Sequence, residues 1–401
     1  MNNSTFEPAK LLIFHRYQMI QNFNHFYNQL ALFELVLLII FGVLFLTRLL
    51  YLFLFTGRIL FNNKNISTNK KPLSLILTVR NQEDNLRNNL PKIFALDKID
   101  FEMIVVDDFS QDNSYLVLGL LKERYKRLTI SILNQETKFS TKLAQNIAIK
   151  AANNDWVLSF PVTLSDVYIE WLDNISQKIN SNKNIVIGYS TITKSKGFFN
   201  SLIRIENYFS FLKSSGYILN NMPFIYSEEN VAFKKEKYFE IGGYSQNITE
   251  HYANLELVIN KFICKKTTTI LFNRESSIRK TEVIKRADYF ELLKKNIRIE
   301  KHLSVFKRII LFLDELIKLL FLPTATVVIV LLPELWIVFA SLLGLILTAY
   351  LFIIKITQNH LNERKIFIPS LVYSLLIPYF KVIYKWYFKR RSKNSRWKNK
   401  V

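Results

Sequence analysis

Leu73-Ser-Leu-Ile-Leu-Thr-Val79, running directly into Arg80-Asn81-Gln82-Glu83-Asp84-Asn85-Leu86, is the stretch that decides the fold. Seven mostly apolar and β-branched residues followed by a polar break read as a buried strand handing over to a helix. The pattern repeats at Phe101-Glu-Met-Ile-Val-Val106, which ends in Asp107-Asp108-Phe109-Ser110-Gln111-Asp112-Asn113-Ser114. Carboxylates sit at the carboxyl end of that strand, and a polar turn caps the next helix. Two successive strand-turn-helix units predict an α/β domain with a mostly parallel sheet and a ligand crevice along its carboxyl edge. Strands are expected near 73–79, 102–107, 128–134 and 155–160.

Outward from this island the sequence turns apolar. Residues 1–30 mix Lys10, His15 and Arg16 with Phe and Tyr and lack a signal-peptide pattern, so they read as an amphipathic lead-in. Residues 31–60 contain Leu35 to Phe55, long enough to cross a hydrocarbon core of about 30 Å. Arg48 within it reads as an arginine snorkelling to the interface. Residues 303–357 read as an amphipathic helix (308–318) and two spans (319–332 and 335–354), turned at Pro333-Glu334. Residues 366–387 are apolar but broken by Pro369, Pro378, Lys381 and Lys385, and read as interfacial or re-entrant. Arg58, Lys64, Lys70 and Lys71 on one side, and the basic tail 388–401 on the other, place the island on the cytoplasmic face of a multi-pass membrane protein.

The chain has 401 residues with 54 Lys and Arg against 32 Asp and Glu, a net charge of +22. Because much of the excess borders apolar spans and no nucleic-acid-binding motif appears, the bilayer accounts for it and nucleic acid is set aside as a partner. Cys264 is the single cysteine, which excludes an intrachain disulfide and reads as a small buried hydrophobe.

Residues 72–302 resemble the nucleotide-sugar-dependent glycosyltransferases of family 2, of the membrane-bound bacterial type. Val79-Arg80-Asn81-Gln82-Glu83 is similar to the family's "R-N-E-E" turn, and Val105-Val106-Asp107-Asp108-Phe109-Ser110 to its "V-V-D-D-G-S" nucleotide turn. Lys142 to Ala152 resembles its helix "K-x-x-A-L-N-x-G-I-K-A-A", and Asp155-Trp156-Val157-Leu158 resembles the strand before its metal-binding acidic pair, with Trp171-Leu172 after it. The resemblance implies a GT-A fold and a nucleotide sugar, of uridine type, bound by Arg80, Asn81, Glu83, Asp107, Asp108 and Lys142. It further implies a lipid-linked or envelope glycan as acceptor, a glycan-assembly protein as partner, and the bacterial inner membrane as location.

Departures from the family pattern fall on the chemistry. The acidic D-x-D pair, which would hold Mg or Mn against the diphosphate, falls on Pro161 and Thr163, neither of which is a carboxylate. The general base that takes the acceptor proton falls on Asn254, with Glu256 two residues away. Asp166, Glu228 and Glu229 are the possible substitutes, and a metal is expected only if such carboxylates converge. Against that stand simpler readings: Asp166 capping a helix from Val167, Glu228 and Glu229 as a harmless loop change, Glu256 as a solvated helix-face charge. The family's closing "Q-x-x-R-W" helix is not visible in Lys294 to His302, where Arg298 and His302 keep basic character. Two functions stay open: a membrane glycosyltransferase, weakened or silent, and a non-catalytic scaffold subunit of a glycan assembly.

Overall fold

The computed structural model describes residues 31–61, 70–96, 98–136, 139–179 and 182–398; the lead-in expected at 1–30 lies outside them. After a first helix, α1 (Leu32–Tyr51), the chain enters the domain through β1 (Leu73–Val79), α2 (Glu83–Phe94), β2 (Phe101–Asp107), α3 (Ser114–Arg124), β3 (Leu128–Ile132), α4 (Ser140–Ala151) and β4 (Trp156–Ser159). The four strands are parallel in the order β3-β2-β1-β4, and each lies within two residues of its expected bounds. Along β1, Leu73, Leu75, Leu77 and Val79 enter one core and Ile76 enters the other. Burial on both faces is why the strand reads as an unbroken apolar run rather than an alternating one.

The second half of the domain contributes β5 (Leu164–Asp166), α5 (Trp171–Lys178), β6 (Ile185–Ile187), β7 (Ser190–Ile192), α6 (Phe198–Leu219), β8 (Val231–Lys234), α7 (Lys235–Glu240), α8 (Leu255–Phe262), β9 (Thr268–Ile270), β10 (Ile278–Lys280) and α9 (Arg286–His302). β8 runs antiparallel between β4 and β6, and β9 completes a seven-stranded sheet; β5, β10 and β7 form a small second sheet. Asp166 therefore ends a short strand paired with β10, and the following helix begins only at Trp171, so Asp166 does not cap a helix from Val167. Cys264 is exposed rather than buried, with its sulfur 2.9 Å from the Thr267 hydroxyl.

α10 (Val305–Leu331) is one continuous helix where an interfacial piece followed by a span was expected, and α11 (Trp336–His360) and α12 (Phe367–Lys398) follow it. Among the described residues, three helical segments are long and apolar enough to cross a membrane: Leu32–Thr56, Pro333–His360 and Phe367–Tyr387. The third is the segment 366–387. Among the described residues, 31–50 and Asp314–Thr348 form one compact unit. Its core is aromatic: Phe41 stacks on Phe321 at 6.0 Å and meets Phe339 edge-on at 5.3 Å. Asp314 and Lys318 pair at 2.6 Å, one turn apart on α10.

The other unit holds the α/β domain together with residues 51–313 and 349–401. Within it, a π-helical turn at Leu52–Thr56 lies so close to α6 that a Cβ on Gly216 would fall 2.2 Å from the Phe55 carbonyl oxygen. The turn between α11 and α12 is also pinned. The buried Glu363 carboxylate accepts from Arg204 at 2.5 Å and from the Tyr189 hydroxyl at 3.0 Å, while Arg279 donates to the Leu361 and Asn362 carbonyls at 3.0 Å. Removing either side of such a pair leaves an uncompensated buried charge. On α12, Tyr373 and Lys381 both reach Glu206, at 2.6 and 3.0 Å.

Candidate functional site

The two turns expected to meet a nucleotide lock onto each other. Asn81 takes a left-handed φ of 52°, which its short amide side chain tolerates, and its Oδ1 accepts from the Gln111 N–H at 2.7 Å. The Asn81 N–H donates to the Ser110 hydroxyl at 2.9 Å, and Ser110 in turn donates both its N–H and its hydroxyl to Asp107. Asp107 is thus engaged in shaping its own turn, as an Asx motif. The neighbouring Asp108 is buried and accepts from the Thr141 hydroxyl at the start of α4 at 3.3 Å. Arg80 pairs with Glu136 at 2.9 Å on the surface, and Glu83 is held by Arg87 and by the Asn113 amide.

Lys142 projects from α4 away from these turns. Its buried ammonium donates to the Asn247 carbonyl at 2.8 Å, to Ile248 at 3.4 Å and to Glu250. Burial lowers its pKa, against the opposing pull of Glu250, Glu256 and Glu228. The loop it fixes presents Glu250, which the sequence reading passed over. Burial would raise that carboxyl, but His302 at 3.1 Å, the Tyr252 N–H and Arg298 together hold its pKa below the usual range. Arg298 and His302, noted only for basic character, therefore converge on one carboxylate.

Pro161 and Thr163 lie where the strand β4 gives out onto the sheet edge. A crevice of about 150 Å³ there is lined by Thr78, Gln145, Ser159, Pro161, Glu228 and Glu229. Both loop glutamates thus line the same crevice as Pro161. Asp166 contributes only backbone pairing to β5, and its side chain lies outside the described residues.

The two glutamates differ in charge. Glu228 accepts from the Gln145 amide at 3.1 Å and from the Leu255 N–H at 2.7 Å, yet burial and then the neighbouring Glu256 carboxylate push its pKa up to about 8. A carboxyl at that value is mostly neutral at pH 7. Glu229 is ionised: burial opposes this, but the Lys280 ammonium at 2.8 Å and the Ser190 hydroxyl at 2.7 Å outweigh it and lower its pKa. The Thr163 hydroxyl is committed to Glu282 at 2.9 Å, and Glu282 also meets Lys280 at 3.5 Å.

Glu256 is fully buried in α8, not solvated, and pairs with Lys295 at 3.0 Å. Asn254 stands just before the first turn of that helix and makes no side-chain cap. The helix N-terminus is capped instead by Glu228, through the Leu255 N–H. Lys280, Lys295 and Glu282 had no sequence signal, since each pairs with a residue far along the chain.

The residues present do not fit a divalent cation. Hard ions take anionic oxygens, whereas Pro161 has none, Glu228 is held neutral and Glu229 is bound to an ammonium. Among the described residues no group of three His, Cys, Asp or Glu side chains is placed to hold one.

A family model described as "Glycosyl transferase family 2" matches residues 74–238. No sequence among curated proteins matches the chain. Among solved structures, the mannosyltransferase PcManGT from Pyrobaculum calidifontis, in complex with GDP-Man and Mn2+, is 17% identical, with 86% of this chain and 99% of that chain covered at a TM-score of 0.51. S. aureus TarS 1–349, in complex with UDP-GlcNAc, is 16% identical over 79% of this chain and 92% of that one at 0.42. Mannosyl-3-phosphoglycerate synthase from Rubrobacter xylanophilus is 14% identical over 59% and 77% at 0.38. At these identities the likeness is one of fold, and the first comparison carries it: a GT-A sheet with its carboxyl-edge crevice.

Proposed function

With a family 2 glycosyltransferase domain in place at residues 74–238, we propose that this chain binds a nucleotide sugar, of uridine type, without strong coupling to a divalent cation. Its transferase chemistry is weakened or silent at neutral pH. The nucleotide lies against the turns of Arg80, Asn81, Glu83, Asp107 and Asp108, with Lys142 holding the adjoining loop. The observation that carries the reading is how the two carboxyls beside Pro161 are engaged: Glu228 accepts from the Leu255 N–H and the Gln145 amide, with burial and Glu256 raising its pKa to about 8, and Glu229 is paired with Lys280. Neither can couple metal to diphosphate or take a proton from an acceptor hydroxyl there. Losing a base or a charge-stabilising group commonly costs about two to four powers of ten in rate.

The protein works at the bacterial inner membrane with its domain towards the cytoplasm, supported by the basic residues that flank the apolar helices. Its acceptor side serves a lipid-linked or envelope glycan, either as a slow transferase or as a scaffold subunit of a glycan assembly. The scaffold reading is favoured by Asn254, since an amide stands where the base belongs. The polar face of α12, through Tyr373 and Lys381 on Glu206, supports the segment 366–387 lying along the domain and the interface.

Calorimetry of the full-length protein in detergent with UDP, with and without manganese, tests the reading. Binding with less than about a tenfold gain from manganese, roughly 1.4 kcal/mol, is the expected result. A larger gain, or turnover of a nucleotide sugar at pH 7 with a rate constant of about 1 s⁻¹ or more, within the ordinary enzyme range, would overturn it.

A further inference from the structure

Behind Glu229 lies a second, larger cavity of about 240 Å³, walled by α6, α9, β10 and the end of β6. Glu229 lines both this cavity and the crevice beside Pro161, so the two spaces share one carboxylate as their partition. Three carboxylates (Glu229, Glu282 and Asp288) face two ammoniums (Lys280 and Lys295), which leaves the lining with a net charge of −1. Both ammoniums are already compensated: Lys280 by Glu229 at 2.8 Å and Glu282 at 3.5 Å, Lys295 by Glu256 at 3.0 Å. An anionic ligand would meet repulsion and would have to break a buried ion pair to gain a cation. A long acyl chain would desolvate the same charges without compensation.

The rest of the lining has the character of a carbohydrate site. Ile203, Phe211 and Leu292 supply apolar surface, and Ser210 and Asn296 supply hydroxyl and amide groups. Asn296 is 4% exposed; its Nδ2 donates to Glu206 at 2.9 Å and to Ser210 at 3.2 Å, while its Oδ1 has no hydrogen-bond partner among the described residues. A buried acceptor left in that state is satisfied by a donor from outside the fold, and a ligand hydroxyl is such a donor. Paired carboxylates retain lone pairs that also accept from hydroxyls.

We infer that this cavity binds an uncharged, hydroxyl-rich sugar unit, and that it discriminates against a phosphate-bearing acceptor. The inference rests on the proposed function in taking the cavity as the acceptor side, but the cavity's ligand class is measurable without any nucleotide. A neutral sugar unit is the shared chemistry of a free oligosaccharide and of the glycan headgroup of a lipid.

The test uses full-length protein in detergent with no nucleotide added, read by saturation-transfer NMR and calorimetry. The probes are chitobiose, a neutral disaccharide, and glycerol 3-phosphate, an anion small enough to enter; vesicles containing a neutral glucosyl lipid form a third arm. Chitobiose should bind at or below about 10 mM, an affinity of a few kcal/mol, and at least tenfold tighter than glycerol 3-phosphate. Leu292→Trp should fill the cavity and abolish chitobiose binding while UDP binding stays unchanged. Ser210→Leu, approaching from α6, repeats the block should the first variant unfold. Binding of chitobiose alone assigns the free glycan as source, whereas tighter capture by the glycolipid vesicles assigns the lipid headgroup.

Glycerol 3-phosphate binding as tightly as chitobiose, no binding of either neutral probe, or chitobiose binding that survives both variants would each overturn the inference. Failure of UDP to bind, with chitobiose still bound and blocked by Leu292→Trp, would instead sink the nucleotide reading and leave this site standing.

Discussion

In the turns after β1 and β2, side chains are engaged with backbone close by: Asp107 with Ser110 three residues on, and Asn81 with Gln111 thirty residues on. Beside Pro161 the partners are remote, with Gln145 reaching Glu228 across 83 residues and Lys280 reaching Glu229 across 51. The first region is a scaffold in which the two turns hold each other through side-chain to backbone bonds. The second is a cluster in which burial raises the Glu228 pKa and Lys280 is shared between Glu229 and Glu282, so its carboxyls are engaged internally. A GT-A sheet can therefore hold its first two turns interlocked while the carboxyls next to them are engaged with partners from elsewhere in the chain.

Asn230 anchors the loop of the second region, next to Glu229, and removing it should have the largest effect. Its Nδ2 donates to the Tyr189 and Ser276 carbonyls at 2.9 and 2.8 Å, its Oδ1 accepts from the Trp171 indole at 2.9 Å, and its φ is 60°. Asn230→Ala takes its bonds from the Trp171 indole N–H and the Ser276 carbonyl, while the Tyr189 carbonyl keeps the Ile278 N–H at 3.0 Å, and it places a β-carbon residue in left-handed backbone. At about 1–3 kcal/mol per unsatisfied group, we expect a loss of roughly 3–5 kcal/mol in chemical unfolding of the detergent-solubilised protein. A loss below about 1 kcal/mol would mean that the two regions do not depend on it.

Installing carboxylates where the family carries them sharpens the contrast. Pro161→Asp combined with Thr163→Asp supplies two hard anionic oxygens to the crevice. Manganese should then tighten UDP binding by about tenfold or more, roughly 1.4 kcal/mol, where the unaltered protein shows less. An unchanged manganese effect in the folded variant would show that the cluster around Glu229 excludes a cation irrespective of those two positions.

A smaller effect is expected from the scaffold itself. Ser110→Ala removes the hydroxyl that links Asp107 to the Asn81 N–H. One such link contributes about 0.5–1.5 kcal/mol, so stability should fall by that amount and UDP affinity by severalfold, with no change in the manganese effect. A shift in manganese coupling in Ser110→Ala would tie the two regions together energetically.

How much of this was legible depended on the range of the interactions. The strands β1 to β4 announce themselves through local apolar runs, and Asp107, Asn81 and Ser110 sit in turns whose residue types are dictated by local backbone needs. That Pro161 and Thr163 carry no carboxylate was equally legible, because residue type needs no partner to be recognised. Glu256 was misread as solvated because burial depends on α9 packing over α8, and Lys295 lies 39 positions further on. Glu250 was passed over because its neighbours Lys142, Arg298 and His302 come from two helices widely separated in sequence. Cys264 followed residue-type statistics and lost to its place at the end of α8, in an exposed turn.

The smallest effect, and the most discriminating, concerns Glu228. Its folded-state pKa of about 8 exceeds the ordinary 4.5 of a glutamate, because burial and then Glu256 disfavour the carboxylate. The folded protein therefore binds more protons than the unfolded chain between those values, so this group's contribution to stability falls as pH rises from about 4.5 to 8. Glu228→Gln mimics the protonated form: its carbonyl still accepts from the Leu255 N–H, and its amide can donate towards Glu256. The variant should match the unaltered protein at pH 5 and exceed it at pH 8. Since Glu228 is half-buried and solvent screens part of the interaction, we expect a melting-temperature gain on the order of 1–2 °C at pH 8, the shift that about 1 kcal/mol produces in a chain of this size. An equal gain at both pH values would indicate a packing change rather than relief of a disfavoured charge. A loss at pH 8 would mean that Glu228 is ionised and stabilising there, in which case it is free to act as base or metal ligand and the distinction between the two regions collapses.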